Sequence, residues 1–293
     1  MRTSRLIRSF VRWRLQAGAH NKLANRSCRL IGAARTNYVW QLALATCGRA
    51  ADWVRPRNFL VLSAVRSGTS LLVDLLNGHP RIRCRDEILN RDFGYYGNPS
   101  RMGRDRLRLH VASLFVKRPG IFAGAKVLTY QLDELQIVLA DLIEILHRPQ
   151  ILVLYRQQTL EQFVSLKLAE RDEVYHSTKP NPANSICLDP NVFLEFARRE
   201  RRMWQENLSV LDGLPVQYLT YEQLAAETEN SVRGVFEFLG LEPRSVQSPL
   251  VKLDPKPISG KVANLSDFLR PQVAAHRTLR LLPAEESPGM RVA

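Results

Sequence analysis

One stretch of the sequence, residues 58–77, constrains the fold more than any other. It begins with a continuous apolar run at 59–62, which is typical of a strand buried in a parallel sheet. A short polar loop, Arg-Ser-Gly-Thr-Ser at 66–70, follows this strand. Leucines then recur at helical spacing until Gly78 and Pro80 end the pattern. The stretch therefore predicts a strand, a glycine-containing loop and a helix, in that order.

The loop at 66–70 has the features of an anion-binding site. The free N–H groups of the first helical turn and the helix macrodipole attract negative charge, and Arg66 adds a cation. Gly68 lets the backbone approach a ligand, while Thr69 and Ser70 are expected to cap the helix. A nucleoside-triphosphate loop requires G-x-x-x-x-G-K-[ST], and this loop has one glycine and no Lys before Thr69. The sequence therefore predicts a site for an anion of another kind.

Apolar runs alternate with helical patterns along the rest of the chain. This alternation predicts an α/β fold with a central parallel sheet and helices on both faces. Ligands of such sheets bind beyond the carboxyl ends of the strands, where Arg66 and Arg156 both fall. We expect strands at 82–84, 124–128, 151–155 and 216–220, helices at 135–146, 159–170, 191–211 and 231–239, and loops at 91–120 and 171–190.

Length and composition indicate one main domain with appendages. With 293 residues and 45% hydrophobic content, the chain can bury a full core. We predict a basic N-terminal helical extension at 1–52, a domain at 53–270, and a partly disordered C-terminal tail at 271–293. The four cysteines stand far apart without a C-x-x-C pair, which indicates neither a zinc site nor a disulfide framework.

The net charge of +14 is concentrated at the N-terminus. Ten basic residues and no acidic one precede Asp52, whereas the rest of the chain is close to balanced. This distribution disfavours nucleic acid as a partner of the domain. The head at 1–35 suits a helix on an anionic membrane surface, an organellar transit peptide or a solvated tail. No apolar run is long enough to span a bilayer, so we expect a cytoplasmic protein, peripheral on the inner membrane face or, in the transit case, organellar.

Two motifs resemble those of sulfotransferases that use 3′-phosphoadenosine-5′-phosphosulfate (PAPS). In that family a basic residue followed by S-G-T-[ST] forms the 5′-phosphosulfate loop, which corresponds to Arg66 and the four residues after it. An Arg at a strand end and a Ser on the next helix bind the 3′-phosphate, which corresponds to Arg156 and Ser165. Residues 75–80 and Glu87 are similar to the L-[LF]-N-x-H-P and Glu arrangement of bacterial carbohydrate and nodulation-factor-type sulfotransferases.

The resemblance implies a P-loop-like sulfotransferase fold, PAPS as co-substrate and no metal. It implies that Glu87 is the base for the acceptor proton and that Arg66 steadies the leaving oxygen. His79 is the rival base or, because it precedes Pro80 at a helix end, a structural residue. If the chain is extended there, Asp86 points away from Glu87, and Lys126 is either a pocket residue or a strand-edge lysine. The residues implied in nucleotide binding are Arg66, Ser67, Gly68, Thr69, Ser70, Arg156, Ser165, Lys256, Lys261 and Asn264, the last three on a loop similar to the nucleotide-covering loop of the family.

The predicted reaction is transfer of a sulfuryl group from PAPS to an acceptor hydroxyl, and the resemblance favours a saccharide or glycolipid. Aromatic residues on the loops could stack on sugar rings, namely Tyr95, Tyr96, Tyr175 and His176. One alternative is a non-catalytic membrane-associated nucleotide-binding module, which would have no need of Glu87. Another is a nucleotide phosphotransferase, which would need a Walker-type Lys and a magnesium-binding carboxylate near the loop.

Overall fold

The computed structural model describes residues 58–90, 102–115, 120–175, 185–250 and 256–281. The basic head at 1–52, the aromatic residues Tyr95, Tyr96 and His176, and the end of the predicted tail lie outside these ranges. What the sequence predicts of them stays a prediction.

A parallel sheet forms the centre of the domain. Its strands are β1 Asn58–Ser63, β2 Ile82–Arg85, β3 Phe122–Leu128, β4 Gln150–Tyr155 and β5 Val216–Thr220. They lie in the order β2-β3-β1-β4-β5 and every neighbouring pair is parallel. β1 occupies the middle, and all of its residues are buried, as expected for an apolar strand covered on both faces. The carboxyl ends of the strands therefore share one edge of the sheet.

Helices cover both faces of this sheet. They are α1 Thr69–Asn77, α2 Arg104–Leu114, α3 Thr129–Leu135, α4 Leu139–Ile145, α5 Thr159–Asp172, α6 Pro190–Leu208, α7 Tyr221–Ala226, α8 Thr228–Phe238 and α9 Pro271–Ala274. One core cluster packs α2, α3, α4 and the end of α6 on one face, and another packs α1, α7 and α8 on the other. The predicted fold class, a central parallel sheet with helices on both faces, is confirmed. No helix within the described ranges is long and apolar enough to cross a membrane.

A third apolar cluster joins α5 and α6 to the C-terminal segment. The ring of Phe193 on α6 lies 5.6 Å from that of Phe163 on α5 and 5.8 Å from that of Phe268. The chain stays on the domain beyond 270, because Val273 and Leu279 are both buried. The domain thus extends to at least 281, further than the predicted boundary.

Two predictions of local structure are wrong. The stretch 91–120 was predicted to be loop, but it contains α2. Leu107, Val111 and Leu114 are buried at helical spacing there, a pattern obscured by the arginines between them. The helix predicted at 135–146 is observed as α4, but its predicted start is wrong: Gln136, in a left-handed conformation, ends the preceding α3, and α4 begins only at Leu139.

Candidate functional site

The loop after β1 turns sharply before α1. Arg66 has φ +59° and Gly68 has φ +80°, so both residues adopt the left-handed conformation. Gly68 is the N-cap of α1, no side chain caps this helix, and its first turn holds no acidic residue. The predicted capping role of Thr69 and Ser70 is therefore wrong, since both lie inside the first turn. The N–H groups of that turn have no intrahelical acceptor and suit an anion.

Two arginines converge on this loop from neighbouring strands. Arg66 donates from Nε to Ser165 Oγ at 3.1 Å and from Nη1 to the Tyr175 carbonyl oxygen. Arg156, which follows β4 and is 5% exposed, donates to the Arg66 carbonyl oxygen at 3.4 Å and to Glu161 at 2.8 Å. Burial, and then the charge of Arg156, lowers the pKa of the Arg66 guanidinium. An anion bound beside both guanidinium groups would offset this repulsion. Arg66 thus contacts both Ser165 and Arg156, and the predicted pairing of Arg156 with Ser165 on a 3′-phosphate stays a prediction.

Tyr221 lies against both Arg156 and Gly68 of this anion site. It follows β5 directly, and the Arg156 Cζ atom lies 4.5 Å from the centroid of its ring. On the other side, a Cβ atom at position 68 would lie only 2.6 Å from Tyr221 Cδ2. Gly68 is therefore required for two reasons, its positive φ and the close approach of the ring.

A buried lysine connects the anion loop with two acidic residues. Lys126 lies on β3 and is 2% exposed. Its Nζ atom is 2.7 Å from Asp86 Oδ1, 2.9 Å from Glu87 Oε1 and 3.4 Å from Ser70 Oγ. The chain bends after Arg85, so the extended conformation in which Asp86 would point away from Glu87 is not present, and both carboxylates reach the ammonium group. Lys126 is thus buried beside the anion loop, and whether it lines the substrate pocket stays a prediction.

The Glu87 carboxylate is held in a fixed position. Its Oε2 atom accepts hydrogen bonds from Asn90 Nδ2 at 2.6 Å and from Gln131 Nε2 at 2.9 Å, while Oε1 pairs with Lys126. The side chain is 13% exposed, so it is reachable from solvent but largely enclosed. These contacts hold the Glu87 carboxylate beside Lys126, whose ammonium group also contacts Ser70 of the anion loop.

The rival base, His79, is not at this site. It lies beyond the C-terminal end of α1, whereas the anion loop precedes the N-terminal end. Its Nδ1 atom accepts from the Arg81 N–H at 3.1 Å, so Nε2 carries the proton and donates to the Glu242 carbonyl oxygen at 3.2 Å. Its ring packs on Phe236 and is 2% exposed. Both nitrogens serve the structure, and the prediction of His79 as a base is wrong.

The C-terminal loop pairs with the segment that precedes α6. Asn264 accepts from the Leu188 N–H at 3.0 Å and donates to the Leu188 carbonyl oxygen at 2.8 Å and to Asp267 at 3.0 Å. Its amide is therefore used to hold two backbone segments together, which corrects its assignment to the nucleotide. Lys256 and Lys261 lie on the same loop, and their assignment to the nucleotide stays a prediction.

Several residues of the site were missed in the sequence. Tyr221 had a usable signal, because it directly follows a predicted strand and therefore lies at the carboxyl edge of the sheet. Asn90 and Gln131 carry no such signal in the sequence, because amide side chains on loops and helices are most often solvated rather than part of a site. Among the described residues, no group of three or more His, Cys, Asp or Glu side chains could hold a metal ion.

No family model and no curated protein sequence matches the chain. Solved structures resemble it. A sulfotransferase from Alicyclobacillus acidocaldarius matches 76% of this chain and 93% of its own, with 17% identity and a TM-score of 0.48. A mouse sulfotransferase complexed with PAP matches 69% and 65%, with 18% identity and a TM-score of 0.39. Sulfotransferase STF9 from Mycobacterium avium matches 75% and 76%, with 11% identity and a TM-score of 0.43. At this level of similarity the function has to be argued from the residues of the chain itself.

Proposed function

We propose that this protein transfers a sulfuryl group from PAPS to an acceptor hydroxyl, with Glu87 as the general base. The observation that carries the proposal is the juxtaposition, at one edge of the sheet, of two anion-binding arginines and a Glu87–Lys126 pair. The arginines alone would suit any phosphate ligand. The carboxylate beside them adds a group that can take a proton from an acceptor held at the same loop.

The residues of the loop fit a nucleotide with several anionic groups. Ser67 Oγ and Arg156 Nε are buried atoms that have no hydrogen-bond partner among the described residues. A buried polar atom without a hydrogen-bond partner destabilises the fold, and a bound ligand that forms a hydrogen bond with it removes this penalty. Arg66 and the first-turn N–H groups would hold the 5′-phosphosulfate, and Arg156 with Ser165 would hold the 3′-phosphate. Arginine suits this task because its planar fork matches phosphate oxygens and stays charged.

In the proposed reaction the acceptor oxygen forms a bond to sulfur while the bond between sulfur and the bridging phosphate oxygen breaks. The electron pair of the broken bond leaves with the nucleotide phosphate, where Arg66 stabilises the charge. Glu87 takes the acceptor proton and becomes neutral. Lys126, until then paired with Glu87, is at that moment freer to stabilise the sulfuryl oxygens, and its contact with Ser70 keeps it directed at the loop.

Neither alternative function explains the site as well. A non-catalytic nucleotide-binding module would keep Arg66 and Arg156 but gains nothing from a carboxylate positioned by Asn90 and Gln131. A nucleotide phosphotransferase would need a lysine directly before Thr69, and this chain has Gly68 at that position. Lys126 reaches the loop from β3, but Asp86 and Glu87 both pair with it.

We further propose that the acceptor is a saccharide or glycolipid. The proposal rests on the resemblance to carbohydrate sulfotransferases and on Tyr175, whose backbone binds Arg66 while its side chain is 47% exposed. An aromatic ring exposed at the rim of a site is suited to stacking on a sugar ring.

Two measurements test the proposed function. Incubation of the purified chain with ³⁵S-labelled PAPS and a panel of saccharide, glycolipid and phenolic acceptors should yield labelled product for one class. Calorimetry should show that adenosine 3′,5′-bisphosphate (PAP) binds about ten- to a hundredfold more tightly than AMP. AMP has no 3′-phosphate, so it loses the charged hydrogen bonds to Arg156, and a loss of that kind corresponds to this factor in affinity. Equal affinity for the two nucleotides would reject the 3′-phosphate role of Arg156, and tight PAP binding without any transfer would favour the non-catalytic module.

A further inference from the structure

A carboxylic acid occupies the core-facing side of α6. Glu200 is 3% exposed and lies among the buried residues of that helix, which are otherwise apolar: Phe193, Ala197, Met203 and Trp204. Burying a carboxyl group in an apolar core is unfavourable, because the group loses its hydration. Burial also raises the pKa of Glu200 to about 7. The reaction proposed above gives this residue no task.

The partner of Glu200 is a glutamine that touches the anion loop. Gln162 on α5 is 1% exposed, and its Nε2 atom donates to Glu200 Oε2 at 3.3 Å and to the Val65 carbonyl oxygen at 2.9 Å. An amide nitrogen has two hydrogens, so both are used. Glu200 accepts one of them, which fixes the orientation of the amide and directs the other hydrogen at Val65.

The Val65 carbonyl precedes the most constrained residue of the loop. Arg66 is a non-glycine residue in the left-handed conformation, which is unfavourable for such residues. The conformation persists only if the surroundings hold it. Helix α5 does so from two positions three residues apart, since Gln162 binds the Val65 carbonyl and Ser165 binds the Arg66 side chain.

We propose that Glu200 is a positioning residue of the anion site, which acts through Gln162 to hold the 65–68 loop in its binding conformation. Glu200 does not touch the ligand. Its contribution is to remove the alternative orientations of the Gln162 amide. This role rests on the proposed function, and it makes nucleotide binding depend on a buried residue that is remote from the loop.

The competing explanation is that Glu200 is only part of the core. The two explanations differ in what Glu200→Leu does. In a packing role, an apolar side chain of similar size would leave the fold intact and nucleotide binding unchanged. In a positioning role, the same variant leaves Gln162 without its acceptor and loosens the loop, even though the core loses an unfavourable carboxyl group.

The experiment compares wild type, Glu200→Gln and Glu200→Leu in the full-length protein. Calorimetry measures PAP affinity, thermal unfolding measures stability, and hydrogen exchange measures protection of the peptide that covers 64–72, with a peptide from α8 as the internal reference. Glu200→Gln keeps an acceptor oxygen, so its PAP affinity and its exchange in 64–72 should match those of wild type. Glu200→Leu should weaken PAP binding by about three- to tenfold, the value of one net hydrogen bond. It should also speed exchange in 64–72, with unfolding temperature unchanged or raised.

Equal PAP affinity and equal loop exchange in wild type and Glu200→Leu would overturn the inference. So would a uniform rise in exchange across 64–72 and α8, because that pattern is general destabilisation. If Glu200→Leu does not fold, Gln162→Leu decides in its place with the same readouts. If wild type itself fails to bind PAP, the proposed function is wrong, but loop exchange without nucleotide still decides the role of Glu200.

Discussion

Replacing Gly68 by Ala tests how closely the anion loop is fitted to its support. The substitution adds one methyl group at a residue with φ +80°, and that methyl group would lie 2.6 Å from Tyr221 Cδ2. The Tyr221 ring in turn stacks on Arg156. The added methyl group therefore strains the backbone and also displaces the ring that supports an anion-binding arginine.

The chain offers a control that separates these two effects. Gly120 has φ +74°, and within the described residues nothing lies within 4 Å of the position that its Cβ atom would take. Gly120→Ala should therefore lose only the backbone term, about 1–2 kcal/mol of unfolding free energy. Gly68→Ala should lose that amount and more. By weakening the contact between Tyr221 and Arg156, it should also cost about 1–2 kcal/mol of PAP binding, or about five- to thirtyfold.

Denaturant unfolding and calorimetry with PAP measure the two quantities. Gly120→Ala should bind PAP like wild type. The double variant Gly68→Ala with Tyr221→Ala removes the steric contact, so it should be less destabilised than the sum of its single variants, while its affinity stays low. Equal stability losses in Gly68→Ala and Gly120→Ala, together with wild-type PAP affinity in both, would refute the close packing of Gly68, Tyr221 and Arg156.

The other predictions concern the carboxyl groups of Glu87 and Glu200 and the imidazole group of His79. Glu87→Gln should lower turnover at saturating substrates by about 10²–10⁴-fold and leave PAP affinity unchanged in calorimetry; near wild-type turnover would remove Glu87 as the base. His79→Gln should lower the unfolding temperature, because both ring nitrogens are bonded, while the specific rate of the folded fraction stays the same; a dead but stable variant would contradict this. Glu200 has a pKa raised from 4.5 to about 7, so the stability it contributes is present below pH 4.5 and is lost as the pH rises through 7. The unfolding free energy of wild type relative to Glu200→Gln should therefore fall by a few kcal/mol over that window, and a constant difference would show that Glu200 does not titrate there.

Much of the architecture is determined by local patterns in the sequence. The buried strands β1 and β4 are continuous apolar runs, and glycine and proline mark where the adjoining elements end, so their bounds are predicted to within a residue or two. The same local pattern places Arg156 directly after β4 and Arg66 three residues after β1. Because parallel strands end at one edge of the sheet, the presence of both arginines at that edge could be predicted without coordinates.

The contacts that turn this edge into a site were decided only by the tertiary structure. Arg66 and Ser165 are separated by 99 positions in the chain, and Gln131 reaches Glu87 across 44. Such pairs depend on the strand order, which places β1 between β3 and β4, and no local periodicity encodes that order. His79 shows the same limit, since a histidine near the motif looks like a base until the fold shows that both of its nitrogens bind backbone atoms. The spacing of apolar residues and the turn residues are local signals, which involve positions close together in the sequence. The partner of a polar side chain, in contrast, depends on which distant segment packs against it once the core has formed.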